Sequence, residues 1–319
     1  MRVRGIVIRD FPVVPGAAEE LIRAAAAVNV SNVHVNPPRW IGRDHPPGEL
    51  RAIGAALAEA GLTITVDLGA VNPAYWPNDD LSDRDGTRAR IRLLREAALL
   101  GVESVHVRVG SPESRDDPAV AWEAQKAAAT RALAALGPTA TELEIAVVLK
   151  THEEMASAEA LAIADEAGEH VRLGYSAVNL LAVLEDPVVA ARRLARRVHT
   201  VFLDDAAMVF TAEGMARRLR PLGEGIVDWP AVLAVLPAEA PLIFDLHRAE
   251  LTVPLYREGW IAARPTATVA EILRIAAAAT PNTPSTALDE RRRTGLALLP
   301  ALASIAPGIA SNTHRRAQQ

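Results

Sequence analysis

The sequence predicts an α/β protein: a closed (β/α)8 barrel followed by a C-terminal helical extension. Three observations predict it. Short apolar or alternating runs, read as strands at 5–9, 32–36, 63–68, 104–109, 143–149, 171–176, 200–203 and 242–246, recur through the chain. Between them lie amphipathic stretches rich in Ala, Leu and Arg at 17–28, 47–60, 84–100, 119–135, 155–167, 188–197 and 229–235. That alternation is the mark of a parallel sheet with helices over one face. No Gly-rich phosphate loop follows the first strand, which argues against an open doubly wound sheet.

Taken in order, each strand has its own warrant. The fifth is a near-continuous apolar run, Leu143, Ile145, Ala146, Val147, Val148 and Leu149, as a strand covered on both faces requires. The second, third and fourth alternate instead. Asn32, His34 and Asn36 interleave with Val33 and Val35; Thr63, Thr65 and Asp67 with Ile64, Val66 and Leu68; His106 and Arg108 with Val105, Val107 and Val109. Alternation puts each polar set on one face, expected to be the barrel interior, because the apolar set packs under the helices. Several polar strand faces converging there predict a lumen open to a ligand, with His34, Asp67, His106 and Arg108 as substrate-binding candidates. The barrel is assigned to residues 1–265. A helical extension is assigned to 266–310, with helices near 269–278 and 288–305 around a Pro/Thr linker, and the polar tail 311–319 is read as disordered.

Composition narrows the function. The chain has 319 residues, half of them hydrophobic, and a net charge of −5 with both signs interspersed, which gives no nucleic-acid footprint. With no cysteine, disulfides and thiolate metal sites are excluded. The N-terminus has no signal-peptide core, and the apolar stretch 296–310 is broken by Pro300 and Pro307. The expectation is a soluble cytoplasmic protein that takes a small-molecule substrate and has no membrane or nucleic-acid partner. The apolar stripe of the 288–305 helix needs cover, from the barrel exterior or from a second copy in a homo-oligomer.

The chemistry concentrates where the fifth strand ends, in Lys150, Thr151 and His152. Lys150 is one of only two lysines, with Lys126, among 34 basic residues. Lys150 and His152, two apart, point the same way on an extended chain.

Further along stand LKTH (149–152), SAVN (176–179) ahead of EDP (185–187), FLDDA (202–206), PLGEGIVDW (221–229) and FDLH (244–247). In this order they resemble the xylose isomerase-like TIM barrels, the sugar phosphate isomerase/epimerase superfamily, over roughly residues 5–248. The resemblance implies one divalent metal held by Glu, Asp, His and Glu at the ends of strands five to eight. The matching positions here are Lys150, Ser176, Phe202 and Asp245. Only the last suits a hard cation, and the first is itself a cation. No cofactor is therefore expected. The resemblance then implies a metal-independent isomerase, epimerase or lyase acting on a polyhydroxylated or carbonyl-bearing small molecule.

In that reading Lys150 replaces the metal as electrophile, or acts as a Schiff-base nucleophile, with Asp245, His247 and His152 as proton-transfer candidates. Ser176, Asn179 and Asp204 join the substrate-binding set, and Trp40, Tyr75 and Trp76 are loop side chains on which substrate choice would rest. Two alternatives stand beside it: a non-catalytic binding subunit, and a metalloenzyme with relocated ligands His152, Asp205, Asp245 and His247. Glu224 and Asp228 are read as loop-capping groups.

Overall fold

The structure, a computed structural model, describes residues 2–36, 45–72 and 86–305. Trp40, Tyr75, Trp76 and the 311–319 tail lie outside the described residues.

Eight parallel strands close the barrel: β1 (Arg4–Val7), β2 (Asn32–Val35), β3 (Thr63–Ala70), β4 (Ser104–Arg108), β5 (Ala146–Lys150), β6 (Val171–Ser176), β7 (Val198–Leu203) and β10 (Leu242–Phe244). Each pairs with its neighbour, and β10 pairs back onto β1, with Gly5 opposite Ile243. The outer face carries α1 (Ala18–Ala27), α2 (Pro47–Glu59), α3 (Thr87–Leu99), α5 (Trp122–Glu142), α6 (Ser157–Ala167), α8 (Pro187–Leu194) and α9 (Trp229–Val235). Short helices α4 (Pro112–Arg115) and α7 (Ala177–Leu181) follow β4 and β6. Caps set several starts. Asp186 accepts the Val188 and Val189 N–H groups ahead of α8, and Asp228 accepts that of Ala231 in α9, each beside a proline in the first turn.

Two elements differ from the sequence reading. The helix expected at 119–135 runs on through Pro138 to Glu142, so β5 begins at Ala146 rather than 143. Gly137 lies against the His170 ring, and a His170 ring nitrogen bonds the Leu133 carbonyl at 2.9 Å in the turn that the proline opens. The second difference is a sheet the reading lacks. β8 (Asp205–Thr211) and β9 (Gly214–Arg220) form a hairpin around Ala212–Glu213, and β11 (Leu251–Val253) pairs onto β9. Ala206, Ala207, Ala212 and Ala216 are poor strand formers, so local preference hides a hairpin that pairing imposes.

After the barrel, α10 (Val269–Ala277) and α11 (Leu288–Ala303) return to it. Helix α11 packs over β10 and β1 beside α9, and its buried side turns Arg291, Gly295, Leu299, Leu302 and Ala303 inward. The Arg2 N–H donates to the Ala303 carbonyl at 3.1 Å, so the two ends of the described chain are tied together. The apolar stripe of this helix is thus covered by the barrel exterior. Among the described residues no helix is long and apolar enough to cross a membrane.

Gly295 sets how close α11 comes. A Cβ there would sit 2.2 Å from the ring of Phe244, which is fully buried. In an exposed helix Gly→Ala stabilises by about 1 kcal/mol. Here the overlap must win, so Gly295→Ala is expected to destabilise by about 1–3 kcal/mol in urea unfolding.

Candidate functional site

All eight strands deliver a group to one end of the barrel, their C-terminal end, where a cavity of about 280 Å3 opens. Arg9 follows β1, Asn36 follows β2, Asp67 and Arg108 come from β3 and β4, and Lys150 and His152 from β5. Asn179 follows β6, and Asp245 and His247 follow β10. Asp204, next after β7, lies just behind His247.

The centre of the site is Asp245, which is 2% exposed and ion-paired on both oxygens. Arg9 meets Oδ1 at 2.6 Å and Lys150 Nζ meets Oδ2 at 2.5 Å. The Lys150 ammonium also lies 3.9 Å above the centroid of the Phe202 ring. Three of the four positions aligned with the family's metal ligands therefore do converge, on a cation, an aromatic face and a carboxylate. Burial alone would raise the Asp245 pKa; the charges of Lys150 and Arg9 overrule it and hold the carboxyl well below the usual carboxylate range. A carboxylate so held stays ionised and is a weak base.

His152 and His247 stand in different settings. His152 Nδ1 is 2.6 Å from Oε2 of Glu154, which is fully buried and accepts the Gly110 N–H through its other oxygen at 2.9 Å. Burial would raise the Glu154 pKa, but the contacts with His152 and Gly110 lower it, so Glu154 is ionised. A carboxylate partner fixes the proton on Nδ1, and Nε2 has no hydrogen-bond partner among the described residues. His247 has both nitrogens engaged, Nδ1 with Asp204 at 2.9 Å and Nε2 with Asn179 Oδ1 at 2.6 Å. Asn179 is held in that orientation because its Nδ2 donates to the Thr151 carbonyl at 3.0 Å. Thr151 itself stitches β5 to β6, donating to Gly174 and accepting the Ser176 N–H.

Behind His247, Arg291 of α11 donates to both oxygens of Asp204, at 2.7 and 2.8 Å, and to the His247 carbonyl at 2.9 Å. Arg9, Glu154 and Arg291 are the supporting residues that the sequence reading missed. Arg9 was findable, since closing the barrel makes the end of the first strand the neighbour of Asp245. Glu154, two residues after His152, offered a weaker hint. Arg291 had no local signal, because only the return of α11 brings it to the site.

The predicted substrate-binding residues separate into two levels. Asp67, Arg108 and Asn179 line the cavity, as do the proposed catalytic residues Lys150, His152, Asp245 and His247. His34, His106, Ser176 and Asp204 are buried outside that lining. The lumen is therefore not open along its length, as the polar strand faces suggested. Phe202 closes it, packing edge-to-face on both His34 and His106 at 5.4 Å between ring centroids. His34 shares a 3.0 Å hydrogen bond with Thr65, while both His106 nitrogens are buried with no hydrogen-bond partner.

A divalent ion does not fit the family position. The donors there are an ammonium, a phenyl ring, a serine, and one carboxylate with a cation on each oxygen. The relocated set does not assemble either. Asp205 accepts the N–H groups of Ala206, Gly223 and Val227, pinning the Gly-rich loop to the hairpin, and it is not part of the cavity lining. No cluster of three acidic or histidine side chains suited to a metal occurs among the described residues.

Burial lowers the pKa of His34 to about 4 and that of His106 well below its ordinary value, so both rings are neutral in the fold. Unfolded, each takes a proton near pH 6.5, so the unfolded chain binds more protons between those values. Stability is then full above about pH 6.5 and falls as the pH drops towards 4. His34 alone should account for about 3 kcal/mol of that loss, read as unfolding free energy against pH.

A sequence profile described as xylose isomerase-like TIM barrel matches residues 19–263. Among solved structures the chain resembles an L-ribulose 3-epimerase, at 16% identity and a TM-score of 0.63 with 95% of each chain covered. It also resembles a D-psicose 3-epimerase studied with D-fructose, at 15% identity, TM-score 0.62, and 94% and 99% coverage. A third is a 3-keto-D-glucoside 4-epimerase from E. coli, at 15% identity, TM-score 0.57, with 83% of this chain and 98% of that one covered. At such identities the structural likeness speaks for the fold, and the profile spans most of the chain. This protein belongs to the xylose isomerase-like TIM barrel family.

Proposed function

We propose that the protein is a sugar isomerase or epimerase that works without a metal, with Lys150 supplying the positive charge at the reacting carbonyl. The observation that carries this reading is the pair of cations, Arg9 and Lys150, fixed on Asp245 where relatives of this fold would place an ion. Both the ammonium and the guanidinium line the cavity. The epimerase activities named for the similar structures support the reaction class.

The chemistry follows from the geometry. A sugar carbonyl oxygen docks at the Lys150 ammonium. His152, its Nδ1 held by ionised Glu154 and its Nε2 facing the cavity side, takes a proton from the carbon beside the carbonyl. The bonding pair moves onto the carbonyl oxygen, and the developing enediolate charge is met by a cation already in place. Return of the proton by His152 to the former carbonyl carbon, with the hydroxyl proton passing from one enediol oxygen to the other, gives the isomer. A proton delivered by solvent to the original carbon from the other face, with the first proton left on His152 and then released, gives the epimer. No atom is gained or lost. Asp245 positions Lys150, and His247, with both ring nitrogens taken by Asp204 and Asn179, is a fixed wall of the cavity rather than a proton carrier. Phe202 seals the floor against water.

Two variants and one additive test this. Turnover of a panel of aldoses and ketoses should persist in EDTA. Lys150→Met should lower it roughly 10²–10³-fold, the effect of removing one preorganised charge. Its melting temperature should fall only modestly, because Arg9 still partners one oxygen of Asp245 while the other loses its donor, a cost of about 1–3 kcal/mol. Lys150→Arg should recover little, since the planar guanidinium is larger than the ammonium it replaces. Loss of activity in EDTA, unchanged turnover in Lys150→Met, or no turnover across the panel contradicts the reading.

A further inference from the structure

We propose that Arg108 binds a carboxylate on the substrate, so that the sugar handled here is a sugar acid. This rests on the reading of the cavity as a sugar site and adds the charge class of what enters it.

Arg108 is the last residue of β4, two beyond His106, and its side chain lines the cavity. It differs from the other arginines around the site. Arg9 is paired with Asp245, Arg217 with Glu153, Arg248 with Asp10 and Arg291 with Asp204. Arg108 makes no side-chain hydrogen bond or ion pair among the described residues. The carboxylate nearest in the sheet, Asp67 on β3, is committed elsewhere: Oδ2 accepts from Asn36 at 2.7 Å and Oδ1 from the Gly69 N–H at 2.6 Å. A guanidinium held half-buried at a cavity wall, with no counter-ion, is a binding group awaiting an anion.

Register places that anion next to the reacting centre. Val107 pairs with Leu149, so Arg108 stands level with Lys150 on the adjacent strand, about 4.8 Å away between backbones. A small ligand with its carbonyl at Lys150 has its next polar group within reach of the Arg108 fork. Charge decides what that group is. The described lining carries three permanent cations, Arg9, Arg108 and Lys150, against two carboxylates, Asp67 and Asp245, a balance of 3 − 2 = +1. One carboxylate cancels it, and its planar oxygens match the guanidinium in two parallel hydrogen bonds. A phosphate, at about −1.5 to −2, overshoots and would face Asp67 and Asp245 with its excess charge.

The test is binding, measured by calorimetry on the full chain with three probes of one carbon skeleton, each with its carbonyl at C2 and differing at the adjacent C1: 2-keto-D-gluconate, D-fructose and D-fructose 1-phosphate. The wild type should bind the keto acid at least tenfold more tightly than fructose, and more tightly than the phosphate. Arg108→Gln, checked for an unchanged melting temperature, should bring the keto acid down to the level of fructose. The proposal is overturned if fructose binds as well as the keto acid, if the phosphate binds best, if no probe binds, or if the variant keeps the preference. Because binding is read without turnover, a failure of Lys150 as electrophile leaves this comparison intact, and the converse holds.

Discussion

A single carboxylate held between two cations is the constraint on which this end of the barrel depends. Asp245 is buried, and a buried charge is tolerated only if it is paired and fully hydrogen-bonded. Arg9 meets that demand from the end of β1, the strand beside β10, and Lys150 from β5, three strands away across the lumen. Having done so, they leave two positive groups fixed at the cavity surface with their desolvation already offset. Catalysis of enolisation needs such a charge in place before the reaction starts. On the proposed reading, the ion pair that satisfies the fold also supplies the field for the chemistry.

The rest of the site is held by elements outside the barrel strands. Arg291 reaches Asp204 and His247 from α11, so the C-terminal helix acts as a brace for the mouth. Gly295 and Phe244 fix how far that helix advances. Asp205 ties the Gly-rich loop to the β8–β9 hairpin, and Arg217 of that hairpin pairs with Glu153 beside His152. Distances in the cavity are thus set by contacts among α11, the hairpin and the loops after β5 and β10. A change in any of these would reach His152 and His247 without touching them.

The barrel was legible in the sequence because its second, third and fourth strands alternate apolar outer with polar inner residues, and its fifth is an apolar run. His34, His106 and Arg108 face the lumen as their alternation requires, and Lys150 meets Asp245 as the aligned motifs implied. What was not legible depends on long-range contact. The alanine-rich β8–β9 pair has little strand preference of its own. Helix α5 survives Gly137 and Pro138 because His170 comes to it from the next unit. Arg291 lies in an ordinary amphipathic helix until the fold brings it to Asp204. The polar strand faces also overstated the opening, since nothing local says that Phe202 closes the lumen above His34 and His106. Arg9 lies between: its place at a strand end was readable, but its partner follows only from barrel closure.

The central claim is that an ammonium and a guanidinium occupy the place of a divalent ion on Asp245. Equilibrium dialysis of the purified, EDTA-treated chain against Mn2+ at neutral pH tests it most directly, with Asp245→Ala as the comparison. The account predicts no stoichiometric Mn2+ binding at micromolar concentration, and no difference between the two proteins. One Mn2+ bound per chain, and lost in Asp245→Ala, would contradict it.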